Sequence, residues 1–256
     1  MTGGQAPALL PPSLRGWLAQ VAALAALVLL VLGIRYADDG DPGTVDARIS
    51  AAVYGPGAPW RHVATATDFL GEPAGAVLLV GAALTGCLLL RSPRAAVLLL
   101  AGTGASVATT TLLKRVVGRT INGGHLSYPS GHTAFLTAFA LVLALLAAGR
   151  LGLGRTTGVL VVLGAAPAAG AAMGWAQVAL GAHYATDALG GWCTALAVVP
   201  AAAWLVDRAV GGAGGPHGPP RAHDPDRTGR RRQRAPHPPR PPGRDRPRPL
   251  ARGHHP

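Results

Sequence analysis

The sequence predicts an all-α membrane protein, a bundle of about six transmembrane helices. Three observations predict it. Hydrophobic residues make up 49% of the 256 and charged residues only 13%, against roughly a quarter charged in an ordinary soluble domain. Aromatic residues are scarce at 5%, so the apolar mass is aliphatic. That mass is gathered into six runs, each close to the ~20 residues a helix needs to cross a bilayer.

The first run, 18–34, follows Arg15 and leads into GIRYADDGD. It lacks an A-x-A cleavage site, so it reads as an uncleaved anchor rather than a signal peptide. Residues 44–70 are neither a span nor a plain loop. Val45, Ile49 and Val53 recur at helical spacing, as do Val63, Ala66, Thr67 and Leu70. They predict two short amphipathic helices at the outer interface, split by GPGAP, with Trp60 as an anchor and His62 at the surface. The remaining runs are 74–90, 95–113, 132–148, 156–174 and 188–206. Backbone polar groups in lipid must bond internally, so each reads as a helix. Cys87 and Cys193 fall inside runs with no CxxC or His/Cys spacing, which makes them small buried residues rather than disulfide partners or zinc ligands.

Arginines in the short loops set the orientation. Arg15 precedes the first run, Arg91 and Arg94 lie between the second and third, and Arg150 and Arg155 between the fourth and fifth. An arginine-rich tail follows the sixth. With six spans these segments share one side, the cytoplasm by the positive-inside rule. The expected division is a cytoplasmic segment over 1–13, a transmembrane domain over 14–208 and a disordered cytoplasmic tail over 209–256. The tail has eleven Arg, three Asp, twelve Pro and no aromatic residue. That composition suits a solvated chain with some attraction to anionic lipid heads, and gives no stacking platform for nucleic acid. The oligomeric state has no signature in the sequence.

The outer side gathers three polar clusters: KRVVGRTIN at 114–122, HLSYPSGHTA at 125–134 and GAHYATD at 181–187. Each abuts the end of a span and so can be held firmly. Pro129-Ser130 reads as a helix start, whose free amides and dipole favour an anion. Gly131 lets backbone approach a ligand closely. Lys114 and Arg119 supply charge to neutralise phosphate oxygens. His183 and Asp187, four apart, share a helix face, so the carboxylate can take the proton of one imidazole nitrogen and leave the other nucleophilic. His132 can protonate a leaving oxygen. This is a kit for metal-free phosphoryl transfer through a phosphohistidine, with no cofactor expected.

These residues resemble the type 2 phosphatidic acid phosphatase (PAP2) family, membrane relatives of the vanadium haloperoxidases. The family's signature is K-x6-R-P, then P-S-G-H, then S-R-x5-H-x3-D. Lys114 matches the start of the first part, Pro129 to His132 match the second in full, and His183 and Asp187 close the third, followed by Gly190-Gly191. The ATDFLGEP segment and the six-span layout agree as well. The resemblance implies a PAP2/haloperoxidase-like core and a membrane lipid phosphate or diphosphate as substrate. It implies His183 as nucleophile, Asp187 as its orienting carboxylate and His132 as general acid. Lys114, Ser130 and Gly131 would hold phosphate.

Two departures stand out: Ile121-Asn122 replaces Arg-Pro, and Ala176-Gln177 replaces Ser-Arg. Arg119, His125, Arg115 and Gln177 are the candidates to make up for the missing arginines. The expected activity is a lipid phosphatase of the plasma membrane, with both termini cytoplasmic and the site outside. The alternative is a weakened relative that binds lipid phosphate or serves as a transport or scaffold component.

Overall fold

The computed structural model describes Leu9 and residues 12–213. The 209–256 tail, apart from its first five residues, and most of the 1–13 segment lie outside the described residues. Eight helices are found among the described residues. They are α1 (Pro12–Arg35), α2 (Thr44–Val53), α3 (Ala58–Phe69), α4 (Pro73–Leu89), α5 (Pro93–Val117), α6 (Gly131–Arg150), α7 (Arg155–Ala179) and α8 (Ala185–Ala213). Two-residue strands β1 (Thr120–Ile121) and β2 (His125–Leu126) pair antiparallel between α5 and α6.

Local chemistry sets the boundaries. Pro73 and Pro93 open α4 and α5, where a missing amide hydrogen costs nothing. Gly118, at φ 68°, closes α5 in the left-handed conformation. Ser130 caps α6 by accepting from the Thr133 amide.

Five helices, α1, α5, α6, α7 and α8, are each long and apolar enough to cross a membrane. The expected second span is different. At 17 residues, α4 rises about 26 Å at 1.5 Å per residue, short of a ~30 Å hydrocarbon core. It qualifies as a sixth span only together with α3, from which it bends by 62°. The chain is thus a five- to six-span helical membrane bundle, with α3 and α4 forming an elbow at one end.

Helix α6 is the axis of the bundle and packs against α5, α7 and α8. Leu98, Leu141, Val142, Leu145, Ala195 and Val199 are fully buried in the core this creates. Lipid gives apolar side chains no reason to leave it, so close packing at small residues must hold the helices together. Gly102 lets Val142 approach α5, where an added Cβ would sit 3.0 Å from a Val142 methyl. Buried hydroxyls on α5 turn to the helix's own carbonyls: Thr103 Oγ1 donates to Leu99 O at 2.7 Å and Ser106 Oγ to Gly102 O at 2.7 Å. At the arginine-bearing end, Asp207 of α8 accepts from Arg94 of α5 at 2.9 Å and lies 3.9 Å from Arg15 of α1. Cys87 and Cys193 are free and buried.

Candidate active site

The opposite end of the bundle collects the polar residues. Lys114 sits in the last turn of α5, His132 in the first turn of α6, His183 just before α8 and Asp187 in its first turn. Packing fixes these ends against each other. The Ser130 amide donates to the Asp187 carbonyl at 2.9 Å, tying the start of α6 to the start of α8. Gly191 permits that approach, because a Cβ there would overlap the Ser130 carbonyl oxygen. Gly190 likewise makes room for the buried Tyr128 ring.

His183 is buried, with Nδ1 3.5 Å from Asp187 Oδ2. Nδ1 makes no shorter polar contact; such bonds are often long without substrate and tighten when it binds. With Nδ1 turned to Asp187, Nε2 is the nitrogen left for chemistry. Burial pushes the His183 imidazole below its usual range. The Asp187 carboxylate opposes this, and the charges of Lys114 and His132 add to the lowering. The result favours the neutral, nucleophilic form.

Asp187 is held on both oxygens. Oδ2 accepts from the Tyr184 amide at 3.0 Å, and Oδ1 accepts from Arg119 Nη1 at 2.7 Å. Arg119 was expected to meet substrate phosphate, and the structure places it elsewhere. It is fully buried. Nη1 also donates to Thr186 Oγ1 at 2.6 Å, and Nη2 donates to Asp46 Oδ2 at 2.7 Å. Its guanidinium lies over Tyr36 and Tyr184, 3.9 and 4.5 Å from the ring centroids. Two carboxylates, a hydroxyl and two rings engage both terminal nitrogens, while Nε is buried without a hydrogen-bond partner.

Asp46 of α2, unassigned from sequence, completes this hub. It is fully buried and also accepts from the Thr186 amide and hydroxyl, both at 2.9 Å. A single acid on an interfacial amphipathic helix has no distinguishing pattern. Only its place opposite Arg119 gives it a role.

His132 meets a second unforeseen group. Its Nε2 lies 3.4 Å from Glu72 Oε1 and 3.8 Å from Asp68 Oδ1, both on the α3–α4 elbow. The elbow fits against the ring at Gly71, where a Cβ would overlap the imidazole. Gln177, at the position of the family's second missing arginine, donates to Asp68 Oδ1. It is therefore joined to the elbow and brings no charge. Asp68, Glu72 and His132 offer ligand atoms within 4.8 Å of one another, a set that could hold a metal ion.

Ser130 is buried as the α6 cap, bonded to Thr133. Gly131 opens the helix, whose first amides have no intrahelical partner. His125, in β2, is exposed, as is Arg115 on α5. Among the described residues, no hydrogen bond or ion pair joins either of them to His132, His183 or Asp187.

Comparison with known proteins agrees with this architecture. Residues 95–210 match the family model of the PAP2 superfamily. The fold is similar to the crystal structure of a transmembrane PAP2-type phosphatidylglycerolphosphate phosphatase from Bacillus subtilis. That match has a TM-score of 0.59 at 23% identity, over 75% of this chain and 96% of that one. None of the curated proteins compared with the sequence matches it. The matched stretch contains Lys114, His132, His183 and Asp187, whereas Asp46, Asp68 and Glu72 precede it. Over residues 95–210, then, this membrane protein is similar to the PAP2 superfamily.

Proposed function

We propose that the protein is a membrane phosphatase that removes a phosphoryl group from a lipid phosphate or diphosphate. The observation that carries the reading is the convergence of His183–Asp187, His132 and Lys114 on one end of the bundle. In the first step His183 Nε2 attacks phosphorus. The N–P bond forms, the P–O bond to the lipid breaks, and His132 gives its proton to the departing oxygen. In the second step water attacks the phosphohistidine, His132 takes the water's proton, and the N–P bond breaks to release phosphate. Asp187 orients the imidazole and stabilises its positive charge. Lys114 and the first amides of α6 hold the phosphate oxygens. The likeness to a phosphatidylglycerolphosphate phosphatase supports a phospholipid substrate. The arginines at the far end support a site on the extracytoplasmic face.

The test is phosphate release from a lipid-phosphate panel by the purified protein in detergent, without added metal. His183→Ala and His132→Ala are expected to abolish it. Wild-type rates in both variants would overturn the mechanism.

One observation favours a second reading, a protein that binds lipid phosphate with little turnover. Arg119 is engaged by carboxylates and Gln177 by Asp68, so Lys114 is the cation left for phosphate. Tight binding across the panel with no phosphate released would establish that reading instead.

A further inference from the structure

The elbow residues bear on a choice the phosphatase reading leaves open: whether the leaving group is an alcohol or a phosphate. We propose that Asp68 and Glu72 make the leaving-group side of the site acidic. The chain then selects lipid phosphomonoesters, whose leaving oxygen becomes an alcohol, over lipid diphosphates, whose leaving oxygen belongs to a phosphate. The proposal rests on the phosphatase reading, with His132 as the acid.

In-line displacement puts the leaving oxygen on the face of phosphorus opposite His183, where His132 can protonate it. The groups next to His132 therefore surround the departing group. Those groups are Glu72, 3.4 Å from Nε2 and half exposed, and Asp68, 3.8 Å away and partly exposed. Among the described residues, His132 is the one charged partner within ion-pair distance of either carboxylate. Gln177 bonds Asp68 without neutralising it. The cations are elsewhere: Arg119 is enclosed behind Asp187, and Lys114 acts on the His183–Asp187 side. The site is thus polarised, with positive charge where the transferred phosphoryl group binds and negative charge where the remainder departs.

A monoester leaves as an alcohol once His132 has given up its proton, and an alcohol accepts or donates hydrogen bonds to carboxylates. A diphosphate leaves as a lipid monophosphate, which must hold at least one negative charge against two carboxylates at contact distance. Like charges so placed disfavour binding and, more strongly, the transition state in which the leaving group gains charge. The two acids lie outside residues 95–210, so the selectivity belongs to the elbow rather than to the shared core.

The experiment uses two chain-matched substrates, farnesyl monophosphate and farnesyl diphosphate, with the full chain in detergent and chelator present. Wild type is expected to prefer the monophosphate at least tenfold in kcat/KM. Glu72→Gln and the Asp68→Asn/Glu72→Gln double variant are expected to narrow that preference tenfold or more, chiefly by raising diphosphate turnover. An unchanged ratio in the double variant, or a wild-type preference for diphosphate, overturns the proposal. So does diphosphate turnover that appears only with added divalent cation, because the three ligand groups would then hold a bridging metal. Binding of both lipids to His183→Ala is measured in parallel. If no form turns over either lipid, the phosphatase reading fails by itself. The binding ratio, and its change on neutralising Asp68 and Glu72, then still decides whether the elbow excludes the second phosphate.

Discussion

Arg119 shows how one residue can be decisive without touching substrate. Among the described residues it is the sole cation hydrogen-bonded to two fully buried carboxylates, Asp46 and Asp187. Removing one member of a buried ion pair leaves an uncompensated charge and costs about 3–5 kcal/mol. Arg119→Met is therefore expected to lower the melting temperature in detergent sharply. Arg119→Met with Asp46→Asn should recover part of the loss. A melting temperature equal to wild type in the single variant would show that the hub is not structural.

Lys114 supports a different prediction. Its charge helps to lower the proton affinity of His183, and the proposed nucleophile is the neutral imidazole. Lys114→Met removes that push, so the His183 pKa rises and a larger fraction is protonated at any given acidic pH. The acid limb of the kcat/KM profile is then expected to move to higher pH than in wild type, alongside weaker substrate binding. Substrate ionisation is common to both proteins and cancels in the comparison. A limb that stays in place would remove Lys114 from the electrostatics of the nucleophile.

At the scale of elements, the elbow is the part that the sequence conveyed least. Long apolar runs bounded by Pro, Gly or Arg mark helices directly, and 95–113, 132–148, 156–174 and 188–206 all fall inside observed helices. Val45, Ile49 and Val53 gave α2 by their spacing. The bend between α3 and α4 has no such period. It arises at Leu70-Gly71-Glu72 before Pro73, a few residues whose direction depends on what they pack against. Asp68 and Glu72 consequently drew no assignment from the sequence, although the bend carries both to His132. Arg119 was misread for a related reason: a basic residue beside a phosphate-like motif looks like a ligand until its acidic partner from α2, 73 residues earlier, is in view.

Gly71 tests the elbow as an element. A Cβ there would fall 2.5 Å from His132 Cδ2, so ring or elbow must move. Gly71→Ala is expected to reduce kcat tenfold or more while the His183–Asp187 pair and the far-end core remain in place. Full activity in this variant would show that the contact between elbow and His132 is not needed.

At the scale of the whole molecule, the ends of the bundle differ in charge. Helix ends alternate, so Arg15, Arg91, Arg94, Arg150, Arg155 and Arg208 share one end with a single acid, Asp207. Eleven more arginines follow in sequence after α8. The other end carries Lys114 and five arginines, among them Arg35, Arg48, Arg61 and Arg115. The fifth, Arg119, is buried in ion pairs. Seven acids offset them, including Asp46, Asp68, Glu72 and Asp187. Retention of positive charge at the cytoplasmic face depends on short flanking loops and terminal segments, and these favour the Arg91 end. The candidate active-site end should then face outward. Single cysteines report this directly, because Cys87 and Cys193 are buried and both His125 and Arg91 are exposed. In intact cells a membrane-impermeant maleimide is expected to label His125→Cys, whereas Arg91→Cys should react only after permeabilisation. The opposite pattern would put the histidines on the cytoplasmic face, and the substrate would then have to be drawn from the inner leaflet.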